Sequence, residues 1–414
     1  MSAAKPLRSI GYIIVSIILG VAVGLVSKAN PSLNIDAKSF GDLGKIFVDL
    51  IKAVAAPLLF FAVTDAIVTT EISWKPARRF LAIVAVNTIL ATAIGLTIAN
   101  VFRPGDHLDF GLPTGDTSLL NSAKDKSATF LGFIDSLLPN SILEPFVTGN
   151  ILGVVFLAVI SGAALRTFHR LNEPWVQSLN NFIHGGYRIS ERVITWLVML
   201  APVAIFGVIA KSVGTSGFDN LPGLARYVGF ALLGLSIQTF VVYPMWIIVT
   251  RRVPLRDYFR VAAEPVINAI GINSSLATLP LTLKALEKLN VSKESSRMAA
   301  CIGTNLNNDG ILLYEAFAVL IVAQALNIEM TLATQLSVAV ICVIATLGIA
   351  GVPEAGIISL AVVLATLKID FHAILPVLLT VDWIVARMRS VTNVMADITS
   401  SIAIDPKPQA QPQS

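Results

Sequence analysis

Five residues near the end of the chain, Asp382, Ala386, Arg389, Asn393 and Asp397, follow one another at spacings of four, three, four and four. They lie inside an otherwise apolar stretch, LLTVDWIVARMRSVTNVMADITSSIAI (378–404), which also carries Arg387 and Ser390. On a helix that spacing stacks the five along one face. The stretch is long enough to cross a bilayer, and a charge in hydrocarbon costs at least ~2.5–3.5 kcal/mol. Ionisable groups there normally face one another or a water-filled cavity. The stripe is therefore either an Asp–Arg ladder between helices or a site for a solute or ion, and its density favours the site. Arg389 is the sharpest residue in it. A guanidinium carries five donors in a planar fork that fits a carboxylate bidentately, which an ammonium cannot do.

Other polar residues interrupt apolar segments. NLNNDGILLYE (305–315) places Asn305, Asn307, Asp309 and Gly310 in the register of a calcium loop, but its twelfth position is Ala316 and the flanks are apolar. A buried, oxygen-rich cation site using Asn307 and Asp309 fits better. Burial of a carboxyl in apolar surroundings favours its neutral form, which makes Glu315 a candidate proton carrier; pairing with a neighbouring Arg or hydroxyl is the alternative. Ser274 and Ser275 sit at a break and can cap a helix or donate to a carboxylate. Glu354 falls at the expected tip of a turn, where solvation is its ordinary fate. His107, His169, His184 and His372 show no metal-ligand spacing, and no hydrolase or metalloprotease motif occurs. An enzyme is not expected, nor any cofactor.

The rest of the chain must position these groups in a membrane. Of 414 residues, 55% are hydrophobic and 14% charged, against ~25% charged in soluble domains; the mean hydropathy is +0.77. The net charge of +4 does not form one basic patch, so nucleic acid is not an expected partner. Lys5 and Arg8, then Lys75, Arg78 and Arg79, then Arg166 and Arg170, then Arg251, Arg252, Arg256 and Arg260 cluster at alternate membrane ends. By the positive-inside rule this puts both termini in the cytoplasm. The two cysteines, Cys301 and Cys342, lie in apolar segments and imply no disulfide framework.

Spans are expected near 10–27, 43–70, 79–102, 145–168, 188–212 and 225–250, with an outer loop between the third and fourth. Beyond Arg260 the pattern changes. Residues 261–283 break at Gly271, Asn273, Ser274, Ser275 and Pro280, which predicts a re-entrant hairpin. A seventh span at 298–325 is interrupted by Gly303, Asn305, Asn307, Asn308, Asp309 and Gly310. Residues 332–367 break at Gly348, Gly351, Pro353 and Gly356, a second hairpin, and the last helix follows. Irregular backbone at membrane depth is tolerated only in protein or along a cavity. Paired, interrupted segments point to a transporter site, where helix N-termini would face an anion and unwound carbonyls a small cation. From these features alone the expectation is a secondary transporter for an anionic solute.

Four motifs, SSLATLP (274–280), NNDG (307–310), GVPEAG (351–356) and DWIVARMRSVTNVMAD (382–397), together resemble the dicarboxylate/amino-acid:cation symporter family, which includes the excitatory amino acid transporters. The resemblance implies an all-α polytopic membrane protein: eight transmembrane helices plus two re-entrant hairpins, in a trimer of the glutamate-transporter-like elevator fold. Residues 1–70 and 105–221 would supply scaffold helices one, two, four and five, with the outer loop. Residues 71–104 and 222–406 would supply the transport core, and 407–414 a disordered tail. It further implies that Arg389 holds the substrate's distal carboxylate, that Asn393 lies near the other carboxylate and Ser275 is a first-hairpin contact, with Ser274, Ala386 and Ser390 also lining the substrate site. The backbone of Gly351, Val352, Pro353, Glu354, Ala355 and Gly356 would form the gate. Gly303, Asn307, Asn393 and Asp397 would make one sodium site, and Asp309 with Asn307, Asn87 and Thr88 another. Arg387 would match the extra arginine of animal-type members and Glu315 their proton carrier, while Asp382 completes the polar stripe.

The departures refine the expectation. Amino-acid carriers of the family have an Asp against the substrate ammonium where this chain has Ala386. An unpaired buried ammonium costs several kcal/mol, so a substrate with two carboxylates and no amino group is favoured: succinate, fumarate or malate. An aspartate/glutamate symporter, with Glu354 compensating, is the alternative, and an anion channel a remote one. Asn308 for Met, Ile311 for Thr, Val84 for Tyr and Asn87 for Thr alter the second sodium site. Proton coupling through Glu315 or Asp309 therefore stands beside sodium coupling. The expected setting is a bacterial cytoplasmic membrane, with lipid and two further copies as partners.

Overall fold

The computed structural model describes residues 4–30, 37–69, 74–108, 138–139, 141–148, 151–171, 173–216, 221–303, 307–347, 355–367, 369 and 371–405. Asn305, the gate residues Gly351, Val352, Pro353 and Glu354, most of the expected outer loop and the tail from 406 lie outside them.

Every regular element among the described residues is helical. Two groups of helices pack mainly among themselves. In one, α1 (Ala4–Ala29) lies along α7 (Ala201–Ser216), and α2 (Ala37–Thr69) packs on α5 (Ile151–Arg170), α6 (Pro174–Val198) and α7; the one-turn α4 (Glu144–Thr148) leads into α5. The other group surrounds α16 (Phe371–Ile404). It comprises α3 (Trp74–Phe102), α8 (Leu221–Ile237), α9 (Tyr243–Thr250), the pair α10 (Leu255–Ile272) and α11 (Ser275–Lys288), the single turn α12 (Lys293–Ser296), α13 (Asp309–Ala325), and the pair α14 (Leu332–Leu347) and α15 (Ala355–Thr366). Apart from Asp309, Glu315 and Gln324, helix α13 is apolar on every face, and nearly all its residues are buried, as a helix enclosed by others must be.

Among the described residues three helices, Gly11–Ala29, Arg78–Phe102 and Leu221–Thr250, are long and apolar enough to cross a membrane by length and composition. The span expected at 188–212 is not one helix. It ends at Val198, turns at Met199–Leu200 and restarts at Ala201 with a bend of 42°. Pro202 explains the restart, because proline has no N–H to give to the preceding turn and is tolerated in the first turn of a new helix.

The break in the first hairpin falls at Asn273, whose φ of 56° is left-handed and ends α10. Asn tolerates that conformation better than most residues. Ser274 then caps α11, its hydroxyl accepting from the Ala277 amide at 3.1 Å. The sixth span changes from α to π pitch at Gln238–Val242 before α9 begins.

Candidate functional site

Arg389 and Asp382 form the centre. They stand seven residues apart on α16, two turns, so one face carries both. Nη1 of Arg389 donates to Oδ1 of Asp382 at 2.6 Å and Nη2 to Oδ2 at 2.8 Å. Their exposures are 3% and 0%. The pair thus lies within one helix rather than between two. The guanidinium Cζ is 4.1 Å from the ring centre of Tyr314 on α13. Gly356, in the first turn of α15, comes so close that an added Cβ would sit 2.5 Å from Cζ, 2.7 Å from Nε and 2.9 Å from Nη1. Arg389 is therefore held by three elements: its own helix, α13 and α15. Asp382 engages two of the five guanidinium donors.

Around this pair the expected substrate residues take different duties. Ser274 is committed to its cap, whereas the Ser275 hydroxyl is buried with no hydrogen-bond partner among the described residues, an unmet group of the kind a ligand satisfies. Ser390 donates to the Asn273 side-chain carbonyl at 3.0 Å, which ties α16 to the first hairpin's break. Ala386 is buried one turn before Ser390 and supplies a methyl group only. Asn393 accepts from the Gly310 amide at 2.8 Å and donates to Asn308 at 3.2 Å. Gly310 permits that approach, because a Cβ there would lie 2.6 Å from the Arg389 carbonyl oxygen. Arg387 turns elsewhere, bonding the Trp383 carbonyl and lying 5.5 Å from the Trp383 ring centre. Trp383 in turn packs on Ile13, Ile205, Ile209 and Val213 of the other helix group.

The residues of the two expected cation sets make separate contacts. At the first, the Asn307 amide donates to the Gly303 carbonyl at 2.6 Å and its Nδ2 to Ser400 at 3.2 Å, while its buried Oδ1 accepts nothing from the described residues. A Cβ on Gly303 would sit 2.8 Å from Oδ1 of Asp397, so only glycine lets that carboxylate approach. At the second, Asp309 accepts from the Tyr243 hydroxyl at 3.0 Å and Asn87 from the Trp246 indole at 2.7 Å; Thr88 is half-buried beside Asn87. Among the described residues no group of three His, Cys, Asp or Glu side chains could hold a metal ion. Amide and carbonyl oxygens with a single carboxylate suit a hard, weakly held cation rather than a transition metal. Glu315 is fully buried and accepts from Thr346 of α14 at 3.0 Å, which links α13 to α14.

The family model for sodium:dicarboxylate symporters matches residues 10–406. The chain belongs to the sodium:dicarboxylate symporter family. It is 30% identical over 405 residues to C4-dicarboxylate transport protein 3 of Ralstonia nicotianae, covering 96% of this chain and 89% of that one. It is 28% identical to C4-dicarboxylate transport proteins of Stenotrophomonas maltophilia (97% and 89% covered) and Rhodospirillum rubrum (95% and 86% covered). The family and these relatives are transporters, not enzymes.

Several side chains of the site escaped the sequence reading. Tyr314 precedes Glu315 directly, yet an aromatic in an apolar span signals only packing. Tyr243, Trp246 and Thr346 have no motif of their own. Asn273 was visible as a helix breaker but not as the partner of Ser390.

Proposed function

We propose that this protein is a secondary active symporter that takes up a C4 dicarboxylate of the succinate, fumarate or malate type, driven by sodium or protons. The observation that carries the reading is Arg389. It is a buried guanidinium held against Tyr314 and Gly356, with Ala386 rather than an acid one turn away. One substrate carboxylate binds the guanidinium, as a charge-assisted fork favours. The other is met by the Ser275 hydroxyl and the backbone of the second hairpin, 351–356. Asp382 keeps the arginine paired when the site is empty, since a lone buried charge is strongly destabilising.

The coupling cation is held by Gly303, Asn307, Asn393 and Asp397, with Asp309, Asn307, Asn87 and Thr88 as a second set. The orphaned Asn307 oxygen supports the first set. If protons drive uptake, Glu315 is the carrier. The scaffold of α1, α2, α5, α6 and α7 holds a homotrimer in the cytoplasmic membrane, with both termini inside. The group around α16 moves against it as an elevator, and the separate packing of the two groups supports this division. The test is substrate binding by Arg389→Lys, which keeps the charge against Asp382 but removes the fork. A loss of succinate affinity of about tenfold or more is expected, and wild-type affinity would refute the assignment.

A further inference from the structure

Tyr243 and Trp246 occupy one face of α9, three residues apart. Each carries a single polar hydrogen that must find an acceptor when buried. Tyr243 gives its hydrogen to Asp309 and Trp246 gives its own to Asn87, two residues of different elements that belong to the second cation set. The π turn at Gln238–Val242, directly before them, adds a residue to the turn and re-aims the helix that follows. We propose that Tyr243 and Trp246 are placeholder donors: they satisfy Asp309 and Asn87 while the cation is absent, and the cation displaces them when it binds.

An O–H or N–H presents a partial positive charge where the ion presents a full one, so the two compete for the same oxygens. The surroundings make the competition costly. Trp246 packs against Phe80, Ile83, Val84, Met298 and Ala299, side chains that carry no oxygen or nitrogen to accept from the displaced indole. That loss subtracts from cation affinity and eases release of the ion on the far side of the membrane. Val84 belongs to this apolar set, which gives the departure at that position a physical role.

The inference rests on Asp309 and Asn87 being cation ligands, and the experiment separates the two claims. Purified full-length protein in detergent, free of dicarboxylate, is titrated with sodium against choline. Binding is read from the rise of the unfolding midpoint and from tryptophan fluorescence, with Trp246→Phe isolating the Trp246 signal. Tyr243→Phe should half-saturate at about tenfold lower sodium, since a hydrogen bond to a charged acceptor no longer opposes the ion. Trp246→Phe should tighten binding a few-fold through the neutral Asn87, which keeps the test alive if Tyr243→Phe does not fold. Unchanged or weaker sodium binding in folded Tyr243→Phe and Trp246→Phe would overturn the placeholder role. An Asp309→Asn protein that titrates like wild type would overturn the cation set itself, and the inference with it.

Discussion

Gly356→Ala tests how tightly the second hairpin closes on Arg389. The added methyl would lie 2.5 Å from Cζ and 2.7 Å from Nε, against an ordinary contact of about 3.5–4.0 Å. A guanidinium at the end of a flexible side chain would normally yield that ångström. Here it is held by two bonds of 2.6 and 2.8 Å to Asp382 and by the Tyr314 ring at 4.1 Å, so the hairpin must give instead. Overpacking of this kind costs about 1–3 kcal/mol. Gly356 has no left-handed torsion, so alanine gains at most ~1 kcal/mol of helix propensity. The net penalty of roughly 1–2 kcal/mol falls on the closed state, and succinate affinity should drop about 5–30-fold. Isothermal titration or a scintillation binding assay measures it directly. Wild-type affinity in the variant would refute the tight seat of the hairpin on the arginine.

Asp382→Asn should lower the unfolding midpoint of the substrate-free protein, because a buried pair broken on one side costs about 3–5 kcal/mol. Succinate should then restore more stability than it adds to wild type, seen by differential scanning fluorimetry with and without ligand. Ala386→Asp should reduce succinate uptake at least tenfold and bring in aspartate, checked by competition for labelled substrate. Just past the end of α16, burial works to raise the Asp405 carboxyl, but hydrogen bonds from Ser292 and Arg252 outweigh it and hold the group below the ordinary carboxylate range. Its contribution is present above the unfolded value of about 3.9 and is lost as pH falls through the lower folded value. Asp405→Asn should therefore destabilise the protein at pH 7 and flatten its acid unfolding below about pH 4, read from midpoints across pH.

The polar stripe on the last helix was legible because four-residue spacing has one geometric meaning on a helix. Of the breaks expected in the first hairpin, Asn273–Ser274 is where α10 ends and α11 begins, whereas Gly271 lies inside α10 and Pro280 inside α11; Gly348, Gly351 and Pro353 fall outside the described residues. Charge within hydrocarbon announced a site but not its wiring. Residues 382 and 389 can pair along one helix or each with a neighbour, and only the packing of α13 and α15 against them decides. The two serines of the first hairpin look alike in sequence, yet one caps α11 and the other has no partner among the described residues. Tyr314 and Trp246 were illegible for a related reason. In an apolar span an aromatic is packing by default, and its polar hydrogen acquires a role only from the helix opposite. The bend at Ala201 was within reach through Pro202, but the apolar run across it hid the break.

The central claim is that this transporter takes a dicarboxylate and ignores its amino-substituted relative. Uptake of labelled succinate and, separately, of labelled aspartate into proteoliposomes under an imposed sodium or proton gradient tests it most directly. Succinate should accumulate under one of the two gradients, which names the coupling ion, and aspartate under neither. Gradient-driven aspartate uptake would contradict the account, since it would require an acid other than the one absent at Ala386 to hold the ammonium.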